Sequence, residues 1–170
     1  MDLTKYIRTV ENFPEKGILF RDITPLLGEP EAFRYAIERI QALVADQKID
    51  RIAAIESRGF LFGAPLAAAA GLGIALIRKK GKLPYSTVTK SYELEYGSNT
   101  LELHSDAILP GERVLIVDDV LATGGTAHAA GELVRMLGGE VVGNTFLIEL
   151  LALKGRERLA AEPVYSLLQY

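Results

Sequence analysis

Apolar positions along this chain recur in two rhythms. Over residues 32–47, Phe33, Ile37, Ile40 and Val44 are spaced by four, three and four, which lines them on one stripe of a helix with charges elsewhere. Such a helix covers a sheet. Short apolar runs follow, each of strand length: IAAI at 52–55, GIALI at 73–77, VLIV at 114–117 and VVGNTFLI at 141–148. An Ala-rich stretch and a helical segment near 126–137 lie between them. The alternation predicts an α/β fold, a mainly parallel twisted sheet flanked by helices on both faces.

Two segments break that alternation. Residues 79–104 form a long polar insertion whose end, TLELH, alternates with period two, so it is expected to be a mobile loop and β-hairpin rather than another βα unit. Residues 1–30, containing FRDITPLL at 20–27, are expected to make a small hood, and the tail SLLQY is expected to join that cap. With no repeat and no linker, 170 residues read as a single domain, 1–170.

A stretch of 19 uncharged residues at 59–77 has the length of a membrane span. Pro65 and the pair Gly71 and Gly73 divide it instead into a short helix, a turn and a β-branched strand. No membrane association is expected. Nineteen Lys and Arg against 22 Asp and Glu give a formal charge of −3, with no long basic run, so no nucleic-acid partner is expected either. Zero cysteines exclude a disulfide framework, and MDLTKYIRTVENF lacks the order of a signal peptide; a cytoplasmic location follows. His104 and His128 lie in separate segments without carboxylate-rich spacing, so no metal held directly by the protein is expected.

The chemistry concentrates in VLIVDDVLATGGT, residues 114–126. In an open parallel sheet, ligands bind beyond the carboxyl ends of strands, and Asp118 and Asp119 are expected at such an end. Ala122, Thr123, Gly124, Gly125 and Thr126 then form a loop leading into a helix. Its backbone N–H groups, two hydroxyls and helix N-terminus suit a phosphate monoester. Two carboxylates ahead of that cradle suit the vicinal hydroxyls of a sugar, so together they describe a ribose 5-phosphate grip. The alternative is an ordinary strand-to-helix loop, against which stands the cost of two desolvated like charges. A P-loop is absent, since no GxxxxGK[ST] occurs.

This stretch resembles the phosphoribosyl-pyrophosphate motif of the type I phosphoribosyltransferases. FRDITPLL, ESRGFLFG (56–63), LIRKKGKLP (76–84), SYELEYG (91–97) and LLALKGRERL (150–159) resemble the adenine-specific branch of that family, in the same order. The resemblance implies transfer of a ribosyl group to adenine, with AMP and pyrophosphate as products, and a homodimer. It implies Mg2+ carried by phosphoribosyl pyrophosphate through phosphate oxygens and water. For pyrophosphate, Ser57, Arg58 and Gly59 offer a hydroxyl, a guanidinium and backbone donors, although an Arg at a helix start is often simply solvated. RKKGK at 78–82 gathers four cations in five residues. Arg78, Lys79 and Lys82 can neutralise pyrophosphate, in this site or across a dimer, or form a solvated loop face.

Glu95 is implied as the group that manages purine protons, with Glu93 as its unresolved competitor two residues away. Backbone groups of Leu19 and Arg21, the ring of Phe20 and the side chain of Leu150 are implied as the adenine pocket; by residue type alone Phe20 is more often an ordinary core aromatic. A cis peptide before Ser57 is implied as well. Two other functions keep the fold: transfer to a 6-oxopurine, and a nucleotide-sensing regulator without catalysis.

Overall fold

The computed structural model describes residues 1–93 and 98–170. The chain divides into two compact units, Met1–Arg39 and Ile40–Tyr170.

In the first unit, β1 (Arg8–Glu11) and β2 (Leu19–Asp22) pair antiparallel. The carboxylate of Asp22 then accepts from the backbone N–H and hydroxyl of Thr24, both at 2.9 Å, which orders the turn into the short α1 (Thr24–Gly28). Helix α2 (Pro30–Leu43) begins in this unit and runs into the second. It starts two residues before the periodicity suggests, with Pro30 at a first-turn position that needs no N–H. It also ends earlier, because Val44, Ala45 and Gln47 bond three residues back and tighten into a turn. The predicted stripe is nonetheless the buried one: Ile37, Ile40 and Val44 are core residues.

Among the described residues of the second unit, seven strands make one sheet in the order β5-β6-β4-β3-β7-β8-β9. They are β3 (Arg51–Ile55), β4 (Gly73–Lys79), β5 (Thr87–Glu93), β6 (Ser98–His104), β7 (Arg113–Leu121), β8 (Glu140–Glu149) and β9 (Val164–Gln169). Pairing from β4 through β3, β7 and β8 to β9 is parallel, as the apolar runs predict. Helix α4 (Gly125–Met136) covers one face, where Ala129, Ala130, Leu133 and Val134 join Ala53, Ile55, Ile77 and Ile116 in a core. Helix α3 (Gly59–Ala70) covers the other. Gly63 lies against Ala54 so closely that a Cβ on it would stand 2.5 Å from the alanine's, which fixes the helix at close range. Gly71, at φ +68°, closes α3 with Leu72 bonding back to Ala67, so the uncharged stretch is a helix, a turn and a strand. No helix among the described residues is long and apolar enough to cross a membrane.

The 79–104 insertion contains the hairpin β5–β6, and β6 pairs antiparallel with β4, which makes the hairpin an extension of the main sheet. Two expectations are corrected. The tail SLLQY belongs to β9, an edge strand parallel to β8, and not to the N-terminal cap: its apolar residues find a sheet partner in β8. The strand beginning at VLIV also does not stop at Val117. Pairing with β3 ends there, but pairing with β8 carries β7 on to Leu121, so both aspartates sit inside the strand where it overhangs its neighbour.

The direction of winding across the sheet reverses between the parallel strands β3 and β7: β3 leads through α3 outward to β4, while β7 leads through α4 to β8 on the other side. The carboxyl ends of these two strands therefore flank the switch point of the sheet, where a crevice opens.

Candidate functional site

That crevice is a cleft of about 690 Å³. It brings Ser57, Arg58, Arg78, Lys79, Lys82, Asp118, Asp119, Ala122 and Thr126 to one wall-to-wall space, together with Glu56, Tyr92 and Asn99. A smaller hollow adjoins it, lined by Ala122, Thr123, Gly124, Gly125 and Thr126 and sharing Asp118 with the cleft.

The overhang of β7 explains the electrostatics of its two aspartates. Asp119 is buried, 4% exposed, and Nε of Arg58 stands 2.8 Å from its Oδ2. Burial raises the Asp119 carboxyl, and the Arg58 charge pulls it back. Asp118 has no such cation as its main partner. Burial and then the charge of Asp119 push its carboxyl well above the usual range, opposed by the Asp119 N–H, which donates to its Oδ1 at 2.8 Å. Gly59 is the first residue of α3, and a Cβ there would meet Oδ1 of Asp118 at 2.9 Å, so only glycine allows this approach. The peptide joining Glu56 and Ser57 is cis. The pair is thus a desolvated acceptor array in which, among the described residues, Asp119 alone has a cation as its partner, and it can receive hydroxyl protons.

After the aspartates, Gly124 turns the chain at φ +81° and His128 donates back to its carbonyl at 2.9 Å, opening α4. Gly155, at the start of α5 (Gly155–Arg158), lies so near that a Cβ on it would overlap the Ala122 carbonyl oxygen, and a Cβ on Gly124 would meet the Gly155 carbonyl at 2.5 Å. Two glycines on facing segments pack this loop backbone to backbone. The loop leads directly into the N-terminus of α4, which has no side-chain cap among the described residues, the arrangement that favours an anionic oxygen cluster.

The opposite wall is basic, and its backbone is held by two acids that sequence patterning did not single out. Glu56 pairs with Nε of Arg78 and accepts the Lys79 N–H, both at 2.8 Å. Burial alone would raise its carboxyl, but these bonds hold it below the usual range. Buried Glu102 accepts the N–H groups of Lys82 and Leu83 at 2.8 and 2.7 Å, which overcomes its own burial and keeps it ionised. The 78–83 loop is thereby pinned at both ends. Arg78 is committed to Glu56, while the Lys79 and Lys82 side chains are exposed. Glu102 was hidden in the period-two reading of TLELH, where its place between two leucines argued for a solvent-facing position.

Of the other implied residues, Leu19, Phe20 and Arg21 share β2 of the first unit. There Phe20 meets Phe13 edge-to-face at 5.1 Å and Arg21 donates to the Thr9 hydroxyl at 2.5 Å. Leu150 follows β8 in the second unit, its N–H bonded to the Leu121 carbonyl at 2.9 Å. Before it, buried Glu149 receives both Nε and Nη2 of Arg156 and the Ser166 hydroxyl, a network that ties α5 and β9 to the end of β8. Glu95 lies outside the described residues. Its competitor Glu93 is exposed at the end of β5.

Known proteins resemble this chain over essentially its whole length. The profile of the phosphoribosyl transferase domain matches residues 28–164. An adenine phosphoribosyltransferase of Carboxydothermus hydrogenoformans is 56% identical over 170 residues, the whole of both chains. The crystal structure of adenine phosphoribosyltransferase from Thermoanaerobacter pseudethanolicus superposes with a TM-score of 0.97 at 50% identity, covering 99% of this chain and 98% of that one. The Saccharomyces cerevisiae enzyme, complexed with an imino-altritol bisphosphate and adenine, superposes with a TM-score of 0.91 at 44% identity, covering 97% and 96%.

Proposed function

The chain belongs to the phosphoribosyl transferase family, and from that premise we infer that its activity is adenine phosphoribosyl transfer: adenine and phosphoribosyl pyrophosphate give AMP and pyrophosphate. It is a pentosyltransferase serving purine salvage. The observation that carries this reading at the level of the site is the single cleft in which the desolvated Asp118–Asp119 pair and the 122–126 loop face the basic wall of Arg58, Arg78, Lys79 and Lys82.

In the proposed division of labour, Asp118 and Asp119 accept the ribose hydroxyl protons while Ala122, Thr123, Gly124, Gly125 and Thr126 hold the 5-phosphate. Ser57, Arg58 and Gly59 with Arg78, Lys79 and Lys82 hold pyrophosphate. As the bond from the anomeric carbon to pyrophosphate breaks, the leaving group keeps the electron pair, and that charge is what the basic wall stabilises. Adenine N9 then forms the new bond to the anomeric carbon, and its proton passes to the departing pyrophosphate or to water. Glu95 as a carboxylic acid at N7 activates the base. Backbone groups of Leu19 and Arg21 with the Phe20 ring are proposed to read adenine as a 6-amino donor and an N1 acceptor, and Leu150 is proposed on the family resemblance as a further residue for the base.

Mg2+ is proposed to enter with the donor. In this proposal phosphate oxygens and water supply most of its ligands, as a hard cation prefers. Bound there, it supplies charge neutralisation of the pyrophosphate. A homodimer is proposed on the family resemblance, with sizing by light scattering as the check. A cytoplasmic location is proposed from the cysteine-free composition.

A structure with AMP bound tests the assignment. The phosphate belongs in the 122–126 loop and the ribose diol on Asp118 and Asp119; a phosphate lodged against Arg78 and Lys82 instead would overturn it.

A further inference from the structure

Tyr92 is the one cleft residue whose hydroxyl is bonded to the phosphate loop in the hydrogen bonds described: Thr126 Oγ1 donates to Tyr92 Oη at 3.1 Å. Its ring packs on the sheet core and reaches the start of α4, where a Cβ on Gly125 would lie 3.5 Å from Cδ2. A tyrosine on a hairpin strand is thereby fixed against the very loop residue that must face a phosphate. Nothing in the motif 114–126 points to it, and position 92 is far away in the chain.

The proton count of this pair has a consequence. Each hydroxyl owns one proton and two lone pairs. In the arrangement seen, Thr126 spends its proton on Tyr92. A phosphate monoester offers only acceptors, so to bind it Thr126 must turn its proton towards the phosphate. That presents a lone pair of Thr126 Oγ1 to Tyr92, whose own proton can then be donated to it. The bond between the two hydroxyls then persists with its direction reversed, and a chain runs from Tyr92 through Thr126 to the phosphate, each bond polarising the next.

We propose that Tyr92 is a positioning residue for the phosphate loop, its hydroxyl donating to Thr126 so that Thr126 donates to the 5-phosphate. The inference rests on the 122–126 loop being the 5-phosphate cradle, and it adds to that a specific requirement for the proton at position 92. Phenylalanine there keeps the ring and its packing but supplies no proton.

The experiment is calorimetric titration of ribose 5-phosphate, and separately of inorganic pyrophosphate, into the full-length protein and its Tyr92→Phe, Thr126→Val and doubly substituted variants. Tyr92→Phe is expected to weaken ribose 5-phosphate by about three- to tenfold, the size of one lost hydrogen bond, and to leave pyrophosphate unchanged. On the Thr126→Val background the same substitution is expected to cost nothing further, because the relay is already cut. A merely structural tyrosine would weaken both ligands, or would cost the same on either background, and either result overturns the relay. Unchanged ribose 5-phosphate affinity in Tyr92→Phe, with Thr126→Val weakened, overturns the relay but leaves the cradle standing. Full affinity in Thr126→Val overturns both.

Discussion

Arg58 and Asp119 are joined across the two strand ends that flank the cleft, with Nε of the one 2.8 Å from Oδ2 of the other. A cation assigned to pyrophosphate and a carboxylate assigned to ribose therefore neutralise each other, and donor binding must redistribute that charge. Arg58→Gln is expected to raise the KM for phosphoribosyl pyrophosphate by roughly ten- to a hundredfold, the scale of a charged hydrogen bond. Steady-state kinetics on Arg58→Gln, Asp119→Asn and the double variant would show a coupling of about 0.5–3 kcal/mol. Strict additivity would mean the pair does not act as a unit.

Asp118 is expected to trade stability for function. Its folded carboxyl is raised, by burial first and by Asp119 second. Holding it charged costs folding energy, a cost that is absent below the ordinary aspartate value and grows as the pH climbs through the folded one. Asp118→Asn should therefore melt higher than the parent at pH 7, by roughly 2–4 °C for each kcal/mol recovered, while losing donor affinity. The melting difference should close as the pH falls towards the ordinary aspartate value. A lower melting point at pH 7 would show that Asp118 serves the fold.

Glu149 behaves in the opposite sense. Burial would raise it, yet the bonds from Arg156 and Ser166 hold it below the usual range. Its contribution to stability is present above the unfolded glutamate value and is lost as the pH falls through the lowered folded one. Glu149→Gln leaves the Arg156 guanidinium short of its charge partner. A destabilisation of about 2 kcal/mol is expected by chemical denaturation, discounted because Arg156 is partly exposed.

Glu95→Gln is expected to lower kcat by roughly a hundred- to ten-thousandfold with little change in the KM for adenine, the mark of a proton transferred only in the transition state. Glu93→Gln is the control and should stay within a few-fold of the parent. Full turnover by Glu95→Gln would move the role elsewhere.

The parallel sheet and its helices were legible because buried strands leave continuous apolar runs and α2 leaves a stripe at helical spacing. The 122–126 loop was legible as a tight strand-to-helix turn because its glycines take a conformation and a close approach that other residues do not. Glu56, Glu102 and Tyr92 were not. Each acts through partners 19 to 34 residues away in the chain, and no local spacing encodes such a pairing. The tail was misplaced for a related reason: SLLQY is apolar enough for a cap or an edge strand, and only the presence of β8 beside it decides. The overhang of β7 likewise follows from β8 outlasting β3 as a partner, a property of two other strands.

The most direct measurement of the central claim is product formation by the purified protein with phosphoribosyl pyrophosphate, Mg2+ and either adenine or hypoxanthine. AMP and pyrophosphate should appear in equal amounts with adenine, and kcat/KM should favour adenine by roughly 10⁴-fold, the discrimination expected when a mismatched base leaves polar groups unpaired. Comparable or faster use of hypoxanthine, or no AMP at all, would contradict it.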